Sequence, residues 1–324
     1  MICGFYVPYY HQTEETKKQR YISEDERKEK KKQFLQINKK TRMNYTPPSS
    51  SQNRMRRNID LFGEDPVQSE LGKFHDRIPI GSGSFWYVYR VTDETGKVMV
   101  LKESIRPIIK SNYKREFDVN KLIKDETYLV KMNNIIEDPR SKKFYAIMPL
   151  YQGTIYDIIS ERKMNDNEII YSIWSVLHGL KQLHALGYVH LDVKPENIFI
   201  DHKGHVKLGD FGTTRKIGTI PDFSETGTGR YQAPEVLDGC IQPENDIYSL
   251  GICLFEMVSR RSFPGYDEVD DFEDNSLLAY LDIDAFKNLF RIMTETLYFK
   301  RPKAERLLEF SIFYAITEYK LRMK

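Results

Sequence analysis

Four polar side chains in the middle of the chain have the types and spacing that phosphoryl transfer requires. Asp192, Lys194 and Asn197 share one short segment, and Asp210 follows after two short apolar runs. The Asp192 carboxylate can orient or deprotonate an acceptor hydroxyl, and the Lys194 ammonium can neutralise a phosphoryl group in transit. Asn197 and Asp210 offer the hard oxygen ligands that Mg²⁺ prefers. Because this reaction is catalysed mainly by positioning and charge neutralisation, the four residues predict a phosphotransferase site.

A glycine-containing segment upstream is a candidate for holding nucleotide phosphates. Gly81 and Gly83 lie between two strand candidates, where the lack of a side chain lets a backbone bend closely over a phosphate. By itself the segment 81–88 is equally compatible with a plain β-turn, because Trp86 stands where a third glycine is usual. The phosphate-binding interpretation therefore depends on the residues that follow.

A lysine at the end of an apolar strand candidate comes next. The ammonium of Lys102 could reach the α- and β-phosphates of a nucleotide, although in isolation it would be read as an ordinary edge lysine. Such a lysine needs a carboxylate to hold it in place, and the next helix candidate offers Glu116. Asp118 lies on a different side of that helix and is the alternative partner.

The elements that must position these residues change in type along the chain. The first part predicts short strands, which span residues 78–91, 98–101, 128–136 and 143–148, with one helix at 112–123. Later apolar residues repeat at three and four positions and predict a helix of about five turns, at Ile169, Ile170, Ile173, Val176, Leu177, Leu180 and Leu183. This order predicts an α+β fold of two lobes with a cleft between them.

Composition excludes several classes of protein. Hydrophobic residues make up 40% of the chain and charged residues 30%, and the formal net charge is only +2, so neither nucleic acid nor a membrane is an expected partner. The three cysteines are widely spaced and predict no disulfide framework or zinc site. No apolar run reaches the length of a membrane span, and the start does not resemble a secretory signal. We expect an intracellular protein, nuclear or cytoplasmic.

The first 72 residues differ from the rest in charge. Between Lys17 and Arg57 there are 14 Lys and Arg against four acids, and apolar residues are sparse. We therefore expect a mostly disordered basic extension at 1–72, a folded domain at 73–315 and a short tail at 316–324. The run 27–32 is a candidate nuclear localisation patch, with a solvated helix face as the alternative.

Three motifs in fixed order carry a family resemblance. The segments His190–Asn197, Asp210–Gly212 and Ala233–Glu235 resemble the eukaryotic protein kinases, and the likeness extends over about residues 74–310. It implies a bilobal kinase fold, with a small β-rich N-lobe and a larger α-helical C-lobe. It also implies ATP and Mg²⁺ as cofactors, a protein substrate, and a monomer.

The resemblance assigns roles to individual residues. Asp192, Lys194, Lys102 and Glu116 are the expected catalytic residues, and Asn197 and Asp210 the expected metal ligands. The expected ATP-binding residues are Ile80, Gly81, Gly83, Val88, Lys102, Met148 as gatekeeper and Leu150 in the hinge. Two structural contacts are implied as well: Asp246 braces the catalytic loop, and Arg301 pairs with Glu235.

Two details bear on the subfamily. Leu191 replaces the arginine that normally receives an activation-loop phosphate, and with the segment 207–212 it is similar to the mitosis-inhibiting Wee and Myt kinases, which phosphorylate cyclin-dependent kinases. Thr228 stands where those kinases have aspartate, and together with Lys194 it is typical of general Ser/Thr kinases. We expect a Wee/Myt-like kinase. The alternatives are a general Ser/Thr kinase, a pseudokinase scaffold and a small-molecule phosphotransferase.

Overall fold

A computed structural model describes residues 71–82, 86–105, 112–138, 140–219, 227–264, 275–314 and 316. The basic extension predicted for residues 1–72 lies outside the described residues except at its last two positions. Of the tail predicted for 316–324, only Ile316 is described. Gly83, one of the predicted ATP-binding residues, also lies outside the described residues.

A five-stranded antiparallel sheet forms the first lobe. Its strands are β1 (Phe74–Ser82), β2 (Trp86–Asp93), β3 (Val98–Ser104), β4 (Asn134–Glu137) and β5 (Phe144–Pro149). They lie in the order β1-β2-β3-β5-β4. Lys102 pairs with Val88 on one side and with Ala146 on the other. Because directly paired residues point to the same face of a sheet, these three side chains share one face.

Helix α1 (Asn112–Leu122) follows β3 and ends one residue before the predicted boundary. Phe117 and Val119 are buried on this helix, and Leu122 is exposed. The strand predicted at 128–136 is shorter than expected, because only Asn134–Glu137 pairs with β5. Leu129 instead makes an isolated bridge to Leu208 in the second lobe, so the apolar residues before Asn134 join the two lobes.

Helices form most of the second lobe. They are α2 (Ile155–Glu161), α3 (Asp166–Ala185), α4 (Pro243–Ser259), α5 (Asn275–Leu278), α6 (Asp284–Met293) and α7 (Ala304–Leu307). Short strands accompany them: β6 (Gly153–Thr154), β7 (Tyr188–Val189), β8 (Ile198–Ile200), β9 (Val206–Leu208) and β10 (Arg215–Lys216). The strands β6, β8 and β9 form one small sheet, and β7 pairs with β10. The predicted α+β class is confirmed.

The core of the second lobe surrounds α3 and α4. The apolar stripe predicted on α3 is buried except for Ile170, and the helix begins with a capping box in which Asn165 and Glu168 bond each other's backbone N–H groups. In α4 every residue from Pro243 to Val258 is buried. No helix within the described residues is long and apolar enough to cross a membrane.

Candidate active site

A buried ion pair joins the sheet to helix α1. Lys102 Nζ donates to Glu116 Oε1 at 3.1 Å, and the Glu116 side chain is almost wholly buried. Asp118, the alternative partner, is exposed on another side of the helix. The second oxygen of the carboxylate also has a donor, because Trp86 Nε1 lies 3.1 Å from Glu116 Oε2. The residue in the third-glycine position thus contributes directly to the ion pair.

Charge and burial compete in this pair. Burial alone would lower the pKa of Lys102, but the carboxylates of Glu116 and Asp210 outweigh it and raise that pKa above its ordinary value. Burial raises the pKa of Glu116, and the negative charge of Asp210 adds to the increase, while Lys102 opposes it. Lys102 therefore remains an ammonium, held between two carboxylates.

One buried carboxylate on α4 fixes the backbone of the segment His190–Asn197. Asp246 Oδ1 accepts from the backbone N–H of Leu191 at 2.8 Å, and Oδ2 accepts from that of His190 at 2.8 Å. Oδ2 also lies 2.8 Å from Nε2 of His184 on α3. Leu191 has a φ of 65°, a left-handed conformation that costs energy for a branched side chain. The two bonds to Asp246 hold it there.

Asp192 is the centre of a compact polar network. Lys194 Nζ lies 2.7 Å from Asp192 Oδ2, and the Asn197 amide nitrogen donates to the same oxygen at 2.9 Å. Asp192 Oδ1 accepts from the backbone N–H of Thr228 at 2.8 Å and from its hydroxyl at 2.9 Å. Lys194 Nζ also donates to that hydroxyl at 2.8 Å. The carboxylate is thus fixed by donors on both of its oxygens.

Asp210 also adopts a left-handed backbone conformation, with a φ of 65°. Burial alone would raise the pKa of Asp210, but the charges of Lys102 and Lys194 lower it below its ordinary value. Phe211 is buried and packs edge-on against the ring of His190, whose Nε2 lies 3.0 Å from the carbonyl of Gly209. Asp210 is therefore an ionised carboxylate with a firmly packed neighbour on its C-terminal side.

Several predicted ATP-binding residues share an apolar cluster between the lobes. Met148 is buried together with Val100 and Val130, and the partly buried Val88 and Leu150 pack against them. Ile80 is not part of this cluster: it lies at a bulge of β1, and 48% of its surface is exposed. The structure thus brings Val88, Met148 and Leu150 together and leaves Ile80 at the rim.

The residues present fit a nucleotide and a divalent cation. Asn197 uses its amide nitrogen for two bonds to Asp192, to the backbone carbonyl at 2.8 Å and to the carboxylate at 2.9 Å, which leaves the amide oxygen side for a ligand. The ionised Asp210 supplies a second hard oxygen donor. The apolar cluster suits the faces of a flat base, and the Lys102 ammonium is a counter-ion for phosphates.

Known protein families were compared with this sequence. The chain matches the family described as protein kinase domain over residues 74–308. It belongs to the protein kinase family. The bilobal fold implied by the sequence resemblance is that of this family.

Curated relatives are protein kinases of different groups. The chain is 31% identical over 208 residues to Cyclin-dependent kinase-like 1 of Caenorhabditis elegans, covering 60% of this chain and 58% of the relative. It is 31% identical over 224 residues to Mitogen-activated protein kinase HOG1 of Scheffersomyces stipitis, covering 65% and 56%. A HOG1 kinase of Arthrobotrys oligospora is 28% identical over 247 residues, covering 72% and 69%. The chain spans a little over half the length of the first two relatives, and none of the three is named as a Wee or Myt kinase.

Both contacts implied by the kinase resemblance are confirmed. Asp246 braces the catalytic loop, which is the segment His190–Asn197, by accepting hydrogen bonds from the backbone N–H groups of His190 and Leu191. Arg301 Nη1 donates to Glu235 Oε1 at 2.7 Å, and the arginine side chain is fully buried. Asn245 donates to the same Glu235 oxygen at 2.6 Å. These bonds fix the end of the kinase activation segment to the second lobe.

Two residues of the kinase site were not predicted to be part of it. Thr228 was used only to distinguish subfamilies, yet its hydroxyl lies between Asp192 and Lys194. Trp86 was read only as a missing glycine, although it donates to Glu116. A signal for Thr228 was its place shortly before Ala233–Glu235. For Trp86 the sequence offered only period-two spacing, which puts it on the same strand face as Val88.

Proposed function

We propose that this chain is an active protein kinase that transfers the γ-phosphoryl group of ATP to serine and threonine hydroxyls of proteins. The observation that carries the proposal is the joint contact of Asp192 and Lys194 with the Thr228 hydroxyl, at 2.9 and 2.8 Å. Together with the direct contact of 2.7 Å between Lys194 Nζ and Asp192 Oδ2, it holds the carboxylate and the ammonium side by side, where an acceptor hydroxyl and a phosphoryl group would meet.

Each residue then has a role in the reaction. Asp192 accepts the hydrogen bond of the acceptor hydroxyl and orients it for attack. Lys194 offsets negative charge on the transferring group, and Lys102, held by Glu116, positions the α- and β-phosphates. Asn197 and Asp210 would hold Mg²⁺, which neutralises phosphate oxygens when it is bound. Val88, Met148 and Leu150 would contact the base.

A general Ser/Thr kinase is better supported than a Wee/Myt-like kinase. Thr228, which belongs to the general Ser/Thr pattern, contacts both Asp192 and Lys194, and the relatives reported above are cyclin-dependent-kinase-like and mitogen-activated kinases. A Wee/Myt-like kinase is the second candidate, because the motif that contains Leu191 is similar to that of the Wee and Myt kinases. A pseudokinase scaffold is disfavoured, since Lys102, Asp192 and Asp210 are all present.

The proposal extends to partners and location. We take the partner to be a protein substrate, with a cyclin-dependent kinase as the substrate under the second candidate. The enzyme would act as a monomer in the nucleus or cytoplasm, and the basic run 27–32 would supply a nuclear signal. A nuclear signal predicts that replacing Lys30, Lys31 and Lys32 by glutamine moves the protein out of the nucleus.

The test is an acceptor assay. The full chain is incubated with Mg²⁺ and ATP and three degenerate peptide pools, whose central acceptor is serine, threonine or tyrosine, and with a cyclin-dependent kinase complex. Phosphosites are mapped by mass spectrometry, and Asp192→Asn is the control. Transfer to serine and threonine pools that is lost in the control supports the proposal. Tyrosine modification of the complex alone would support the second candidate, and no transfer above the control would contradict both.

A further inference from the structure

We propose that Trp86 is a positioning residue whose indole N–H holds the Glu116 carboxylate in place opposite Lys102. The inference rests on the proposed kinase function, because Lys102 positions the nucleotide phosphates in that function. It assigns a task to the residue that stands in place of the third glycine of the phosphate-binding segment.

The sheet register brings Trp86 to the ion pair. Trp86 pairs with Ser104 on β3, and Val88 pairs with Lys102, so Trp86 points to the same face as Lys102. Its ring is 6% exposed, and Glu116 is completely buried. The indole nitrogen lies 3.1 Å from Glu116 Oε2, and Lys102 Nζ lies 3.1 Å from Oε1. Each carboxylate oxygen thus has its own donor.

Packing fixes the indole as firmly as the hydrogen bond does. Trp86 belongs to a buried cluster with Phe117, Met132 and Ala146. Its ring meets Phe117 of α1 edge-on, with 6.2 Å between the ring centroids, and Lys102 Nζ lies 5.7 Å from the indole. Phe117 is the residue after Glu116 on α1. Trp86 therefore contacts this helix at two neighbouring residues, through its ring at Phe117 and through its N–H at Glu116. Trp86 therefore ties β2 to α1 at the position of the ion pair.

The electrostatics explain why a neutral donor is useful here. The charged groups that face Glu116 are Lys102, which attracts its carboxylate, and Asp210, which repels it. Lys102 is shared between the two carboxylates. The Trp86 N–H stabilises the ionised Glu116 without adding a positive charge, which would compete with Lys102 for the Asp210 carboxylate. If Glu116 Oε2 lost the hydrogen bond from Trp86, the carboxylate would be free to turn away from Lys102.

A second contact fixes α1 one turn further on. The Asn120 side-chain amide, with its nitrogen toward the carbonyl of Met132, donates to that carbonyl at 3.1 Å and accepts from the Met132 N–H at 2.8 Å. Asn120 is 3% exposed. Contacts within the chain therefore hold the helix at two successive turns, at Glu116 and at Asn120.

The first test is a double-mutant cycle. Trp86→Phe keeps a buried ring and removes the donor, and we expect kcat to fall about tenfold, as for one lost hydrogen bond to a charged group. In a Glu116→Gln background the same substitution is expected to change kcat less than twofold, because the carboxylate on which it acts is gone. Trp174→Phe, on α3 in the other lobe, is the matched control and should leave kcat unchanged. An equal loss of activity in both backgrounds, or no loss in either, would overturn the proposal.

The second test needs no activity. The chain has two tryptophans, so Trp174→Phe leaves Trp86 as the sole indole fluorophore. In that background, Glu116→Gln is expected to shift the emission maximum of Trp86, while Asp118→Asn, which changes an exposed carboxylate two residues away, leaves it in place. Equal spectra for the two variants would overturn the proposal even if the kinase is active. A shift in a protein that transfers no phosphate would instead refute the proposed function and retain the contact.

Discussion

The hydroxyl of Thr228 accepts a hydrogen bond from Lys194 Nζ at 2.8 Å and donates one to Asp192 Oδ1 at 2.9 Å. This relationship joins the catalytic loop to the segment that precedes Ala233–Glu235. Gly227 makes the close approach possible, because a Cβ on it would lie 2.2 Å from the carbonyl oxygen of Leu191. The conformation of the segment around Thr228 and the position of the Asp192 carboxylate therefore depend on each other.

Removing the Thr228 hydroxyl is expected to impair catalysis more than folding. In Thr228→Ala, Lys194 and Asp192 Oδ1 each lose a hydrogen bond that fixes their placement, so kcat should fall about tenfold to a hundredfold with a melting temperature within a few degrees of wild type. Thr228→Ser keeps the hydroxyl and should retain most activity. Steady-state kinetics and thermal denaturation measure both. Equal activity of the alanine and serine variants would contradict the bridging role.

Breaking the buried Glu235–Arg301 pair by removing the arginine is expected to destabilise the protein strongly. Arg301→Met would leave the Glu235 carboxylate buried with Asn245 as its remaining donor, and we expect a loss of about 3–5 kcal/mol in the free energy of unfolding. The control is Arg306→Ala, which breaks the exposed ion pair to Glu309 and should cost less than about 1 kcal/mol. Denaturant unfolding measures both changes. Similar losses for the two variants would show that burial does not determine how much the loss of an ion pair lowers the free energy of unfolding.

Glu168 is expected to contribute to the acid sensitivity of the fold. Burial alone would raise the pKa of Glu168, but hydrogen bonds from Arg162 and from the backbone N–H of Asn165 lower it below its ordinary value of 4.5. A carboxyl whose pKa is lowered by folding adds stability above that ordinary value, and this stability is lost as pH falls through the folded pKa. Glu168→Gln should therefore melt below wild type at pH 7, and the gap should close as the pH falls below 4.5 and through the lower folded pKa of Glu168.

The control for the acid experiment is Glu161→Gln. Glu161 is exposed at the end of α2, and its replacement should leave the melting curve unchanged across the same pH range. A gap between Glu168→Gln and wild type that stays constant from pH 7 to pH 3 would show that the loss comes from packing and not from charge.

Leu191 predicts that the activation segment 210–235 works without phosphorylation. A phosphate brings about −1.5 to −2 charges that need cationic partners, and the buried Leu191 offers none. Lys207, Arg215 and Lys216 lie near enough in sequence to substitute, but the guanidinium of Arg215 donates to the carbonyls of Thr213 and Thr214, and Arg215 is buried. Asp246 orders the catalytic loop instead. Phosphatase-treated protein should keep its initial rate within about threefold; a loss above about tenfold, restored by a phosphorylated threonine of the segment, would refute this.

Features that follow from local pattern could be predicted from the sequence. The stripe on α3, the first strands and helix α1 appear within a few residues of their predicted bounds, because burial on one face leaves a periodic signal. The approach of Lys102 and Glu116 was also predicted, but spacing alone could not choose between Glu116 and Asp118. That choice depends on which face of α1 meets the sheet, which is a tertiary property.

Features that depend on contacts distant in sequence could not be predicted. The apolar run before Asn134 has the composition of a strand, yet its Leu129 bridges to Leu208 of the second lobe and does not pair with β5. Trp86 breaks the expected glycine pattern, and only its packing on Phe117 reveals that its N–H reaches Glu116. In both cases the deciding partner lies about 30 to 80 positions away, beyond the reach of periodicity.

The proposed kinase activity and the roles of Lys102 and Asp210 are tested by measuring phosphoryl transfer from γ-labelled ATP to a protein acceptor by wild type, Lys102→Met and Asp210→Asn. Lys102 contacts Glu116 and carries the charge proposed to hold the phosphates, and Asp210 is the proposed metal ligand. We expect transfer by the wild type, and a kcat at least about a hundredfold lower in each variant with the fold retained. Near-normal transfer by either variant would contradict the role given to that residue, and no transfer by the wild type would contradict the proposed kinase activity.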